Sequence, residues 1–472
     1  MVIDEARSVS VTEIDSAVLE AFAASLRGKL VQPGDADYEQ ARRVHNGMID
    51  KRPALIAQCA DVADVIAGVN FARDNALLLA VRGGGHNGPG FGTCDDGLVL
   101  DLVGLKGIRV DPVARTARVE GGCTLGDMDH ATHAFGLATP SGVNSTTGVA
   151  GLTLGGGMGH LSRLHGLAID NLLEVDVVLA DGCFVTASAE QHPDLFWAIR
   201  GGGGNFGVVT SFLFRLHSVS TIYGGPMLWS LDVAEDVLRW YGEFLPSAPD
   251  ELNGTLIFMS VPPGPPFPEA LWNETMLAIA WCYAGPLDAA DEVFLPMRTR
   301  FGAPALDWVG PMPYPVLQSA FDAVFPAGIQ MYWKADFVNA MTDESIKQRI
   351  QQAQRKPVGS SMFGFHPIDG AASRVAGDAT PWAYRNAKWV EVFVGATPDP
   401  AENDSIITWA RETWDLLHPF SAGGGYVNFM MEEGPSRIQA TYRSNYDRLA
   451  RIKALFDPAN LFRVNQNITP KA

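Results

Sequence analysis

Apolar residues recur at helical spacing at Ile14, Val18, Leu19, Phe22 and Leu26, which predicts an amphipathic helix over residues 12–27. The pattern then shortens. Residues 54–57 (Ala-Leu-Ile-Ala) read as a strand, and Asp61 as the cap of a helix whose apolar face carries Val62, Val65, Ile66 and Val69. A second apolar run, residues 77–81, completes a β-α-β unit and passes directly into glycines. Residues 98–102, 117–120 and 183–186 read as further short strands, and the stretch 194–216 closes this region on another. From about residue 223 the texture changes. Prolines gather at 262–268 and 311–315, and strand-like runs (255–259, 275–281, 388–394) alternate with helical ones (232–244, 343–354, 402–417). That alternation predicts an α+β unit with an antiparallel sheet. In the tail, Tyr446, Leu449, Ile452, Leu455 and Phe456 share one helical face, which Asp457-Pro458 ends.

Composition narrows the classes. At 472 residues the chain is longer than one ordinary core, and it is 47% hydrophobic and 19% charged, the balance of a globular protein. Lys+Arg 35 against Asp+Glu 53 gives a net charge of −18 without any basic stripe, which argues against a nucleic-acid partner. Residues 1–5 lack the basic-then-apolar order of a signal peptide, and no run reaches the roughly 18 apolar residues of a membrane helix. The expectation is a soluble, cytoplasmic protein with no membrane partner. The five cysteines (Cys59, Cys94, Cys123, Cys183 and Cys282) are scattered, with no C-x-x-C spacing. They read as small buried residues in a reducing compartment, not as disulfides or a zinc site.

The candidate chemistry lies in the glycines. Arg82-Gly83-Gly84-Gly85-His86-Asn87-Gly88 leaves the backbone bare beside one imidazole, so its N–H groups can approach a flat or anionic group closely. A dinucleotide fingerprint needs a helix after its glycines, but here Pro89-Gly90-Phe91-Gly92 follows, which cannot start one. No G-K-[ST] follows any glycine run, which excludes a P-loop. Residues 139–171, rich in glycine and hydroxyl positions, suit a segment threading past phosphates and a ring edge. Gly201 to Gly204 form a third run. Asn465, Gln466 and Asn467, set between apolar residues, suit a segment packed on a polar ligand edge.

Four of these stretches together (82–87, 142–159, 194–210 and 445–468) resemble the berberine bridge enzyme-like FAD-linked oxidases of the vanillyl-alcohol oxidase superfamily. The resemblance covers nearly all of the first half and the tail. It implies an α+β fold: a PCMH-type FAD-binding domain made of residues 1–222 and 435–472, around an inserted substrate domain, residues 223–434, carrying an antiparallel sheet. The flavin set it implies is Arg82, Gly83, Gly84, Gly85, His86, Asn87 and Gly88 in the first loop. Asn144, Thr146, Thr147, Gly148, Gly151, Gly155, Gly156, Gly157 and His160 follow in the second segment, then Gly207, Val209, Asn465 and Asn467. It also implies a covalent bond from His86 to FAD.

Two departures modify that picture. Many relatives add a second bond from a Cys in the pattern G-x-C-P-x-V-G, but residues 142–148 here read Gly-Val-Asn-Ser-Thr-Thr-Gly, so Asn144 stands in the Cys place. A single link through His86 is expected. Relatives that oxidise alcohols and sugars take the hydroxyl proton with the second Tyr of Y-x-N-Y, which is Phe429 here. Glu391 is then the candidate base. Tyr426 and Asn428 complete the candidate catalytic set, although strand alternation would turn Tyr426 away. Thr147, small at a position that governs oxygen access in relatives, leans towards oxidase chemistry. The expected partners are a small-molecule substrate and molecular oxygen; the oligomeric state is not specified. Three readings stay open: hydride abstraction beside an alcohol or amine with peroxide release, a redox-neutral or cyclising biosynthetic flavoenzyme, and a flavin-binding protein without chemistry. The loop at residues 420–425 (Phe-Ser-Ala-Gly-Gly-Gly) suggests close backbone approach near the flavin.

Overall fold

The computed structural model describes residues 14–357 and 359–471; the expectation concerning residues 1–5 lies outside them. Three sheets organise the chain. The first runs Lys29–Val31, Leu55–Gln58, Leu98–Asp101, Leu79–Arg82 across its width, the last three strands parallel. Helix Val62–Asp74 connects two of these strands, and the Asp61 carboxylate accepts the N–H groups of Ala63 and Asp64 as its cap. Val65 and Val69 on its inner face are fully buried. The second sheet is antiparallel, in the order Ile108–Asp111, Thr116–Glu120, Val208–Arg215, Leu172–Val178, Phe184–Ser188.

The third sheet is larger and wholly antiparallel. Its central order is Thr221–Ser230, Thr275–Tyr283, Leu252–Ser260, Met362–Pro367, Trp389–Thr397, Gln330–Val338. Helices Ala234–Phe244, Asp343–Arg355 and Asn403–Leu417 cover one face, burying Trp240, Tyr241, Ile346 and Trp409 against Phe363, Phe365, Trp389 and Phe393. The tail helix Tyr446–Phe456 packs Leu449, Ala450 and Ile452 into the core that holds Leu195, Trp197 and Phe212. The end of the chain therefore returns to the second sheet.

Several expectations need correction. The opening helix is shorter than the 12–27 pattern, spanning Ser16–Ser25. Residues 139–171 include helix Val149–Leu154, which the glycine and hydroxyl pattern does not mark. On the tail helix Leu455 is 73% exposed, whereas Lys453 is completely buried. Lys453 turns inward because Asp457 (2.7 Å) and the carbonyls of Asn205 and Phe462 take its three protons, joining the tail to the third glycine run. Of the cysteines, Cys183 is exposed and the other four are buried. Strands Gln330–Val338 and Met362–Pro367 have no counterpart in the hydrophobic pattern. Gln330, Lys334 and Asp336 interrupt the first of them, and all three are buried.

Candidate active site

Strand Leu79–Arg82 delivers the first glycine loop. The buried guanidinium of Arg82 is held by Asp101 at 2.7 Å and by the Ala41 and Arg43 carbonyls, which fixes where the chain leaves the sheet. Gly84 then crosses Gly148. A Cβ on Gly84 would stand 2.5 Å from the Gly148 Cα, and one on Gly148 would stand 2.4 Å from the Gly84 nitrogen. Only two bare backbones fit at that crossing. Gly85 follows with φ +70°, the left-handed region that glycine tolerates. Among the described residues the backbone N–H groups of residues 83–88 find no partner, so the loop offers a row of donors to the cavity that residues 83–87 line. The His86 ring stacks on His45 at 3.8 Å between centroids. Burial, with His45 beside it, pushes the His86 imidazole down to about 3, so it is neutral at working pH.

The second wall holds a small polar group. The Tyr426 hydroxyl accepts the Gly157 N–H at 3.1 Å and an Asn428 Nδ2 proton at 2.7 Å, and Asn428 also donates to the Leu152 carbonyl. Strand alternation does not turn Tyr426 away, because Val427–Phe429 form a 3-10 turn and Tyr426, Asn428 and Phe429 all reach the cavity. Phe429 stacks on Trp333 at 5.2 Å.

The third wall is the uncovered face of the large sheet. Met331 and Trp333, Met362 and His366, and Val392 project from three neighbouring strands. Glu391 is one residue out of phase with that face. Its carboxylate points to the helical side, bonded twice to Arg349 at 2.8 and 2.7 Å, and both side chains are buried. The catalytic base expected at Glu391 is therefore not in the cavity; the residue is half of a structural ion pair. The loop at residues 420–425 is also misassigned by the sequence. It extends the edge strand instead, through Phe337 N–H to the Gly424 carbonyl and Ala422 N–H to the Phe337 carbonyl.

Of the other sequence-predicted residues, Arg82, Gly83, Gly84, Gly85, His86, Asn87, Asn144, Thr147, Gly148, Gly151, Gly207, Val209 and Asn465 line this cavity. Gly88, Thr146, Gly155, Gly156, Gly157, His160 and Asn467 stand outside the lining. A Cβ on Gly155 or Gly156 would strike Asn428 or Trp382, so those glycines admit the second wall and do not face the cavity. Thr146 is exposed, and its backbone lies against the His86 ring. His160 is buried, and neither ring nitrogen is bonded among the described residues. Sequence reasoning missed His45, Trp333 and His366. Only the strand register reveals the last two.

Residues 53–188 match the family described as FAD binding domain, and residues 425–469 the family described as Berberine and berberine like. An FAD-linked oxidoreductase of Dictyostelium discoideum is 32% identical over 96% of this chain and 97% of its own length. The chain is a berberine bridge enzyme-like FAD-linked oxidoreductase. Within the family it is also similar to the (R)-6-hydroxynicotine oxidase of Paenarthrobacter nicotinovorans, 31% identical over 95% of this chain and 98% of that one. The crystal structure of 6-hydroxy-D-nicotine oxidase from Arthrobacter nicotinovorans superposes with a TM-score of 0.84 at 27% identity, covering 95% of this chain and 99% of that chain.

The cavity of this FAD-linked oxidoreductase suits its cofactor. Gly151 and Gly204 line it, and nothing stands within 4 Å of where a Cβ on either would be, so a cradle is left open beside bare backbone. The Asn465 Oδ1, buried on the same lining, has no partner among the described residues. A flat ring system with a polar edge and a pyrophosphate could be held by such donors and acceptors. The residues present fit FAD.

Proposed function

We propose that this FAD-linked oxidoreductase removes hydride from a carbon bearing a hydroxyl or amino group in a small molecule, with molecular oxygen as the final acceptor and hydrogen peroxide as its product. When bound, FAD supplies the two-electron acceptor. The observation that carries the reading is the neutral His86 beside a row of free N–H groups, inside a cavity closed by Tyr426, Asn428 and Phe429. A neutral imidazole keeps a lone pair free for a covalent bond to the flavin. Asn144 lines the same cavity where relatives carry a Cys, which leaves His86 as the single attachment. Thr147 and the similarity to an (R)-6-hydroxynicotine oxidase support oxygen use. Tyr426 and Asn428 act together to orient the substrate and the flavin edge. Residues 1–222 with 435–472 form the cofactor part and 223–434 the substrate part. The exposed Cys183, unpaired like the other four cysteines, supports a reducing, cytoplasmic setting. Among the described residues no helix is long and apolar enough to cross a membrane.

Acid unfolding of the purified protein should leave flavin fluorescence attached to the chain, and His86→Ala should release it. Anaerobic mixing with an oxidisable alcohol or amine should bleach the flavin, and air should restore it with one peroxide per turnover. Flavin that washes from the parent protein sinks the covalent link; restored colour without peroxide sinks the oxidase.

A further inference from the structure

The wall facing the glycine loops carries a chemical signature that the cofactor does not explain. Strands Gln330–Val338 and Trp389–Thr397 bear charged residues, but alternation sends Lys334, Asp336 and Glu391 to the helical face. There they meet Glu433, His418 and Arg349 respectively, and they are buried. The cavity face is left with Met331, Trp333, Met362 and Val392, joined by Phe429. His366 is the single ionisable side chain on that face. No Asp, Glu or Lys lines the cavity anywhere among the described residues.

We propose that the substrate is a neutral, largely aromatic molecule whose hydroxyl donates a hydrogen bond to His366 while its ring lies against Trp333 and Phe429. This deepens the reaction proposed above by naming the substrate class, and it rests on that reading for the site's purpose.

Three observations carry it. First, a cation entering this cavity would find no carboxylate, and an unpaired buried charge is strongly disfavoured. Second, a sugar would bury many hydroxyls, but this wall offers one polar side chain to satisfy them. Third, Trp333 and Phe429 stack at 5.2 Å and the His366 ring stands 5.6 Å from Phe429, so the three rings form one aromatic cluster on the cavity lining, a surface that suits an aromatic ligand. His366 makes no side-chain hydrogen bond among the described residues although it is 7% exposed. Its ring lines the cavity. Burial lowers this imidazole to about 4, so it stays neutral and accepts a hydrogen bond near neutral pH.

The test compares three probes on the holoenzyme by calorimetry and by the change in flavin absorption: phenol, benzylammonium and glucose. Phenol has no carbinol hydrogen, so its binding reports recognition independently of any redox reaction; anaerobic bleaching by an alcohol or amine tests the redox reading separately. Phenol should bind at least about tenfold more tightly than either other probe, the discrimination that one satisfied hydrogen bond plus an unpaired polar group supports. His366→Leu, at unchanged flavin content, should weaken phenol about tenfold, and His366→Asn should recover part of the loss because its amide still offers an acceptor. Benzylammonium or glucose binding as tightly as phenol overturns the proposal, as does failure of all three to bind, or an unchanged affinity in His366→Leu. Should His366→Leu not fold, the ranking of the probes on the parent protein still decides.

Discussion

The wall built from residues 83–87, Gly148 and Gly151 is mostly backbone, whereas the wall built from Gln330–Val338, Met362–Pro367 and Trp389–Thr397 is entirely side chain. The first recognises by what glycine leaves out: N–H groups without partners among the described residues and crossings too tight for a Cβ. The second recognises by parity, with charges on one face of the sheet and Trp333, Met362, His366 and Val392 on the other. A backbone site depends on local sequence and tolerates little change. A sheet face depends on register, and a shift of one residue would exchange its two chemistries completely. One wall is therefore suited to a fixed cofactor and the other to a substrate that can vary.

The largest expected effect breaks the backbone wall. Gly84→Val puts a branched side chain 2.5 Å from the Gly148 backbone, and backbone cannot move aside as a flexible side chain would. The two loops must separate, and flavin content should fall by at least about tenfold, well beyond what an ordinary surface change produces. Gly310→Ala is the matched control for the crossing, because nothing stands within 4 Å of its Cβ among the described residues and it lies outside the cavity lining; its flavin content should equal the parent's. Flavin-to-protein absorbance checks both variants. Full flavin in Gly84→Val would show that the crossing is not needed to hold the cofactor.

That difference between the walls also sets what the sequence discloses. Glycine runs are contiguous, so Gly83–Gly85 are legible with no knowledge of the fold, as is the β-α-β unit that delivers them, whereas the isolated Gly148 and Gly151 enter only through the family resemblance. His366 is isolated in sequence, on a strand of only Met362–Pro367 whose neighbours come from residues 252–260 and 389–397. No periodicity marks it. Glu391 misleads for the same reason: it lies in the right strand but on the wrong parity, and a carboxylate in an apolar run looks functional until its guanidinium is seen. Tyr426 keeps its place in the candidate set, and the strand alternation that would have turned it away is replaced by a 3-10 turn at Val427–Phe429. Local composition discloses backbone chemistry, while side-chain chemistry waits on pairing partners remote in the chain.

The next effect sharpens the parity argument from behind the sheet. Arg349→Leu leaves the Glu391 carboxyl buried without a partner, and breaking such a pair costs about 3–5 kcal/mol. Urea unfolding should register that loss. Glu391→Gln, which keeps hydrogen-bonding capacity toward Arg349, should leave the rate of flavin reduction by substrate within about twofold, since the side chain does not line the cavity. A collapse of that rate in Glu391→Gln, with stability retained, would restore Glu391 to the chemistry.

The smallest of these effects concerns a buried joint between two helices outside the cavity lining, and it depends on pH. Asp129, on helix Leu125–His133, accepts a hydrogen bond at 3.2 Å from Gln318 on helix Tyr314–Ser319. Its other oxygen has no partner among the described residues. Burial pushes this carboxyl up to about 7, only partly offset by Gln318. In the unfolded chain it returns to about 3.8, so between these values the folded state holds a proton that the unfolded state has released. The stabilising contribution is complete below pH 4 and is lost as pH rises through 7. Spread over that window, the linkage amounts to at most about 4 kcal/mol at one pKa unit per 1.36 kcal/mol. Asp129→Asn cannot ionise and keeps an amide oxygen for Gln318. It should unfold at higher urea than the parent at pH 8 and match it near pH 4. Parallel stability curves across that range would mean that Asp129 is already ionised in the fold, with a solvated partner at the joint.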